Sequence, residues 1–170
     1  MNIQNVNGET VLHELCRIEP PSKNKNLLEK LLLTIKFIKT LIYNGANLNI
    51  QNIDGNTPLH VAINYMEIHG NTEIVKILLD ANANIDIQNS VGNTALHLAL
   101  KNDKIPEIVK MLEAGADVDI QNNYGDTPLH IAFRYSCMNG IKLLLKNGAK
   151  LDIQNNDEKT PLDLGYIDTD

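Results

Sequence analysis

The chain has no tryptophan, two phenylalanines and two cysteines among its 170 residues. Cys16 and Cys137 stand at opposite ends of the sequence. Two thiols so placed make no disulfide framework, and they read as small buried apolar residues. No apolar run is long and clean enough to span a bilayer. The longest, residues 27–43, is interrupted by Glu29, Lys30, Lys36 and Lys39. No basic start followed by an apolar stretch marks a signal peptide. Positive charge is scarce as well: arginine occurs only at Arg17 and Arg134, no basic run exists, and the net charge is −6. An acidic chain gains nothing from the phosphate backbone, so nucleic acid is excluded as the expected partner. Glycines come singly, which leaves no phosphate-cradling loop.

What is present is periodic. An Ile-Gln-Asn phrase recurs with its Gln at Gln4, Gln51, Gln88, Gln121 and Gln154, spaced by 47, 37, 33 and 33 residues. A unit of 33 residues with two insertions accounts for all four spacings. Gly8, Gly55, Gly92 and Gly125 follow at one slot, where a tight turn needs positive φ. Next come Thr57-Pro58-Leu59-His60, Thr94-Ala95-Leu96-His97 and Thr127-Pro128-Leu129-His130, with weaker forms at Thr10-Val11-Leu12-His13 and Thr160-Pro161-Leu162-Asp163. Thr is a good N-cap and Pro fits the first helical position, so each phrase opens a short helix. A second, strongly apolar helix follows each of the first four. These helices stop at Gly45, Asn82, Gly115 and Gly148, the residue types expected at a left-handed terminator.

In its period, its Thr-Pro-Leu-His-x-Ala helix start and its Gly-Ala stop, the sequence resembles the ankyrin repeat family. The resemblance covers nearly the whole chain. It implies an all-α repeat solenoid of stacked helix-turn-helix units with β-hairpin fingers along one edge, four repeats plus a partial fifth. The expected boundaries within a single domain (1–170) are about 4–50, 51–87, 88–120, 121–153 and a partial 154–170. One helix pair cannot bury its own apolar face, so stacking closes the core. At a helix spacing of roughly 8–10 Å the stack should be about 40 Å long. End repeats need a polar outer side, and Glu14 stands where later repeats carry Val61, Leu98 and Ile131. The last residues, around Asp168, read as a cap or as a truncation.

Three departures from the pattern stand out. Insertions fall near residues 18–26, with Pro20-Pro21 breaking the helix, and near residues 66–71. The second helix of the first repeat is lengthened, with Leu28, Leu31, Leu32, Ile35, Ile38 and Ile42 expected as its buried stripe. Leu33 and Phe37 lie off that stripe, covered by the insertion or forming a binding patch. In the third repeat Glu107-Ile108-Val109 is displaced by one position, predicting a small local shift.

Chemistry is poorly represented. His13, His60, His97 and His130 suggest a metal row, but ligands must lie within about 2.0–2.3 Å of one ion. Equivalent residues of stacked repeats are roughly 8–10 Å apart. The resemblance implies instead that this His bonds helix start to turn. His13 and Cys16 are the nearest approach to a Cys–His pair, yet Cys16 occupies a slot that is Ile63, Leu100 and Phe133 elsewhere. His69 is isolated in an insertion. No enzyme, no metal and no cofactor is expected.

Recognition should use positions that vary between repeats: finger tips and the exposed starts of the first helices, which by resemblance line the concave surface. Tyr65, Tyr124, Tyr135 and Arg134 are the foremost candidates, since Tyr and Arg are frequent interface anchors. Ile53 and Val91 supply apolar support, with Asp54, Asn64, Lys101 and Asp126 beside them; Arg17, Ile18 and Asn102 share the same slots. The expected function is a module binding another protein, without membrane insertion, as a monomer in the cytoplasm or delivered to a host cytosol as a microbial or viral effector or adaptor. The alternative is a regulatory or targeting domain of a longer protein.

Overall fold

In the computed structural model, residues 2–17, 27–65 and 71–165 are described. The insertions, Ile18, His69 and the segment around Asp168 lie outside them. Eight α-helices follow in order: α1 (Val11–Cys16), α2 (Leu27–Tyr43), α3 (Pro58–Asn64), α4 (Asn71–Asp80), α5 (Ala95–Lys101), α6 (Ile105–Glu113), α7 (Pro128–Arg134) and α8 (Met138–Lys146), closed by a 3-10 turn at Leu162–Leu164. Helices α1, α3, α5 and α7 form one row, each packed on the next, and the 3-10 turn continues it. Helices α4, α6 and α8 form the second row, and each second helix packs against its own partner.

The core runs along the seam between the rows. Leu59, Ile63, Leu96, Leu100 and Leu129 of the first helices meet Ile74, Leu78, Ile108, Met111 and Leu144 of the second, all essentially inaccessible to solvent. Ala62, Ala99 and Ala132 are fully buried where first helices pass one another. Their single methyl lets those helices approach closely.

The fingers differ from the β-hairpins expected. Among the described residues there is no strand, and each finger is a turn closed by two backbone bonds. In the second finger, Asn52 N–H donates to Asn56 O and Gly55 N–H to Asn52 O, both 2.9 Å. Adjacent fingers share one backbone bond each, such as Ser90 N–H to Asp54 O at 3.0 Å. That spacing is too sparse for a ladder. Gly92 shows why glycine recurs here: its φ is +78°, and a Cβ would stand 2.5 Å from the Asn123 backbone nitrogen of the next finger. Glu158 occupies the glycine slot of the fifth finger at φ +60°. No described finger packs on it.

One sequence expectation for the second helices, the apolar stripe of α2, needs correction. In α2, Leu31, Ile35, Ile38 and Ile42 face inward, but Leu32 is 57% exposed, and the stripe is completed by Thr34 and Leu41. At about 100° per residue, Leu32 lies far round the helix from Ile38, whereas Thr34 is nearly above it. Leu33 and Phe37 are each about half exposed. In α6, counting back from the terminating glycine puts Glu107 in the slot that Ile74 fills in α4. Its side chain is buried, and Oε1 accepts from the Thr72 hydroxyl of α4.

Candidate functional site

The finger face is built from the Gln-Asn phrase, whose role the sequence left unassigned. In the first four fingers each Gln side chain donates to two carbonyls, the glycine of its own finger and the Gln of the next, whereas Gln154, among the described residues, reaches only Glu158 O. Gln88 Nε2 reaches Gly92 O at 2.7 Å and Gln121 O at 2.9 Å. Gln4, Gln51 and Gln121 repeat the arrangement. Each Asn oxygen accepts two backbone N–H groups of its turn; Asn122 Oδ1 takes those of Tyr124 (2.9 Å) and Asp126 (3.1 Å). Its Nδ2 reaches back to Asn93 Oδ1 at 2.8 Å. The backbone of each turn is therefore satisfied by side chains rather than by strand pairing.

The histidines form a third ladder. Each Nδ1 accepts the backbone N–H of the N-cap threonine, at 3.2 Å for Thr57 and His60. Nδ1 is thus unprotonated, and Nε2–H donates to a carbonyl of the following finger: His60 to Asn93 O at 3.0 Å, His130 to Lys159 O at 3.0 Å. Burial lowers the pKa of His13, and takes His60 and His97 to about 4, so these rings are neutral. At the equivalent slot Asp163 accepts both the N–H and the hydroxyl of Thr160, as Nδ1 does elsewhere, but a carboxylate has no N–H to send onward. Among the described residues no group of three or more metal-ligating side chains comes together.

On this scaffold the candidate residues divide. Tyr124 and Ile53 stand at finger tips, 61% and 68% exposed, with Asp54 beside Ile53. Tyr65 and Tyr135, 43% and 48% exposed, occupy one slot two repeats apart. They were expected at the starts of the first helices; they are instead the C-caps of α3 and α7. Asn64, Lys101 and Arg134 are the last residues of their helices, because these helices are only seven residues long. A cation there complements the helix dipole.

Asp126 is a further correction. The sequence places it among the exposed finger-tip residues, whereas in the structure it is fully buried. Its carboxylate is held by both terminal nitrogens of Arg134 and by Asn155 Nδ2 at 2.8 Å. Glu9 and Arg17 make the same pair at the same slots of the first repeat. The signal was available in sequence: in both repeats an acid precedes an arginine by eight residues.

Cations of one repeat also lie over tyrosines of the next. The Arg17 guanidinium is 5.0 Å from the Tyr65 ring centroid, and Lys101 Nζ is 5.9 Å from that of Tyr135. Between α5, α7 and the third and fourth fingers opens a cleft of about 340 Å³. Leu98 and Ile131 form its floor, Val91, Tyr124 and Tyr135 its walls, and Lys101 and Arg134 its rim. The structure thus brings Val91, Lys101, Tyr124, Arg134 and Tyr135 together. Ile53, Asp54, Asn64 and Tyr65 belong to the second repeat and do not line the cleft.

Two rows of short helices, joined by turns that side-chain ladders zip together, define a repeat protein with an all-α architecture. A family model of ankyrin repeats in three copies matches residues 33–122, and one of ankyrin repeats in many copies matches residues 111–164. The chain belongs to the ankyrin repeat family, whose members are generally protein–protein interaction modules and typically not enzymes. No curated protein matches the chain. No helix among the described residues is long and apolar enough to cross a membrane.

Proposed function

We propose that this chain binds a protein partner through its concave, finger-bearing face, without catalysis, as a single stack of four repeats and a partial fifth. The observation that carries the reading is the cleft bounded by Tyr124, Tyr135, Val91 and Lys101: exposed aromatic and aliphatic side chains converge there on turns held by side-chain hydrogen bonds. Rigid aromatic groups lose little conformational entropy on binding, which favours them as anchors. Tyr65, Ile53, Asp54 and Asn64 extend the surface along the stack. Five finger tips and four helix ends can supply the roughly 800 Å² per partner of a standard interface.

In this reading the protein works as a monomer in the cytoplasm, or in a host cytosol as an effector or adaptor. The test is affinity capture with the wild type and a Tyr65→Ala, Tyr124→Ala, Tyr135→Ala variant of equal helicity by circular dichroism. A protein retained by the wild type and lost by the variant supports the face as the site. One retained equally by both excludes it.

A further inference from the structure

The charge of the cleft is opposite to that of the protein. The chain carries 15 basic and 21 acidic residues. Yet among the described residues the charged side chains lining the cleft are Lys101 and Arg134, and no carboxylate lines it. Asp126, the acid paired with Arg134, is buried, with its oxygens taken by Arg134 and Asn155. Arg134 spends two of its five N–H donors on that carboxylate and is 39% exposed, so its outer edge still faces the cleft. Lys101 is exposed, makes no ion pair among the described residues, and is positioned by the Tyr135 ring. His97, at the base, is neutral and already donates to Asp126 O. The floor between the two cations is apolar, made by Leu98 and Ile131.

We infer that this cleft takes an acidic peptide segment of the partner, bound extended across the third and fourth repeats. An apolar or aromatic side chain sits on Leu98 and Ile131 between Tyr124 and Tyr135, and flanking carboxylates reach Lys101 and Arg134. The spacing follows from the scaffold. Equivalent residues of neighbouring repeats are roughly 8–10 Å apart, and an extended chain advances about 3.3 Å per residue. The two acidic residues are therefore two or three positions apart. Two cations on a chain of net charge −6 make too small a positive surface for a nucleic acid backbone, whose binding draws on many phosphate contacts. The apolar floor and tyrosine walls suit a side chain. The inference rests on the concave-face reading above and adds the chemistry of what that face recognises.

The test is selection of a linear random-peptide display library on the immobilised full chain, followed by fluorescence anisotropy with the enriched peptides. Each peptide is measured against wild type, Lys101→Glu and the Tyr124→Ala, Tyr135→Ala double variant, all checked by circular dichroism. The expected result is a consensus with two Asp or Glu flanking an apolar residue. Affinity should fall at least tenfold in Lys101→Glu and when the acids are replaced by their amides, and should weaken between about 50 mM and about 500 mM salt. A neutral or basic consensus, or acidic peptides bound equally by Lys101→Glu, overturns the inference. If those same peptides are lost by the tyrosine variant, the concave-face reading survives without it. Peptides indifferent to both variants count against both, and a library that enriches nothing excludes a linear peptide ligand.

Discussion

Nε2 of His97 lies 3.1 Å from the backbone carbonyl oxygen of Asp126, the residue whose carboxylate holds Arg134. The ladder that fixes the fingers and the rim of the cleft therefore meet at one residue. A change at the rim is felt in the scaffold.

Arg134→Ala accordingly destabilises the fold by about 1–3 kcal/mol, since it leaves a buried carboxylate with Asn155 as its remaining side-chain donor. The value sits below the 3–5 kcal/mol of a fully buried pair because the guanidinium is partly solvated. Lys101→Ala, at the same slot without a carboxylate partner, costs at most about 0.5 kcal/mol. Urea denaturation of the two variants measures the difference. Equal midpoints would show that Arg134 contributes nothing to holding Asp126. This asymmetry also makes Lys101 the better residue for probing binding.

The histidine ladder makes the fold acid-sensitive. Burial takes His60 and His97 from 6.5 to about 4 in the folded protein. The unfolded chain therefore takes up protons that the native state refuses as pH falls through this interval. Stability is constant above about pH 6.5 and declines from there toward pH 4, by roughly 3 kcal/mol per histidine at most. Urea midpoints followed from about pH 7.5 to pH 4.5 should fall steadily below 6.5, and His97→Asn should flatten the slope. A wild-type midpoint unchanged between pH 7 and pH 5 contradicts neutral, buried rings.

Much of this was legible in the sequence, for a physical reason. Thr57, Pro58 and Asn82 act on the backbone of their own helix end, and Gly92 on that of its own turn, so these roles follow from identity and order alone. The ladders were less legible. Gln88 and Asn122 have counterparts in every repeat, but each bonds its own turn and a neighbouring finger at once, and periodicity shows that a residue is needed without showing what it bonds. Asp126 was misplaced for the same reason: a carboxylate in a turn reads as solvated until Arg134 and Asn155 are brought to it. In α2, composition hid the answer, because apolar residues occur on nearly every side and Leu32 cannot be told from Leu31 by type.

The glycines separate two costs. Gly148 has φ +85° and nothing within 4 Å of a notional Cβ, so Gly148→Ala carries the left-handed backbone penalty alone, about 1–2 kcal/mol. Gly92 has φ +78°, and a Cβ there meets the Asn123 backbone as well as its side-chain oxygen. The next finger must move, breaking the Asn123 N–H to Val91 O bond of 3.1 Å. Gly92→Ala should exceed Gly148→Ala by at least about 1 kcal/mol, the worth of one such bond. Chemical denaturation of the two variants decides it; the same loss in both would mean that the fingers do not constrain one another.

The thiols give the sharpest chemical expectation. A nucleophilic cysteine needs a thiolate and access. Cys16 has neither: it is fully buried between α1 and its neighbours, and burial alone drives its pKa upward. Cys137 is 2% exposed and is raised to about 11, first by burial and then by donating to Asp103 Oδ1 at 3.0 Å, a bond that favours the protonated thiol. At about pH 8 the thiolate fraction of Cys137 is therefore on the order of one in a thousand. Iodoacetamide should modify the native protein far more slowly than the urea-unfolded chain, in which both thiols regain ordinary values. Cys137 should be reached before Cys16, because the loop before α8 can open without parting two helix rows. Peptide mass spectrometry of a time course reads the order and the rates. Rapid labelling of Cys16 in folded protein would contradict its burial and return the His13–Cys16 pair to consideration as a reactive site.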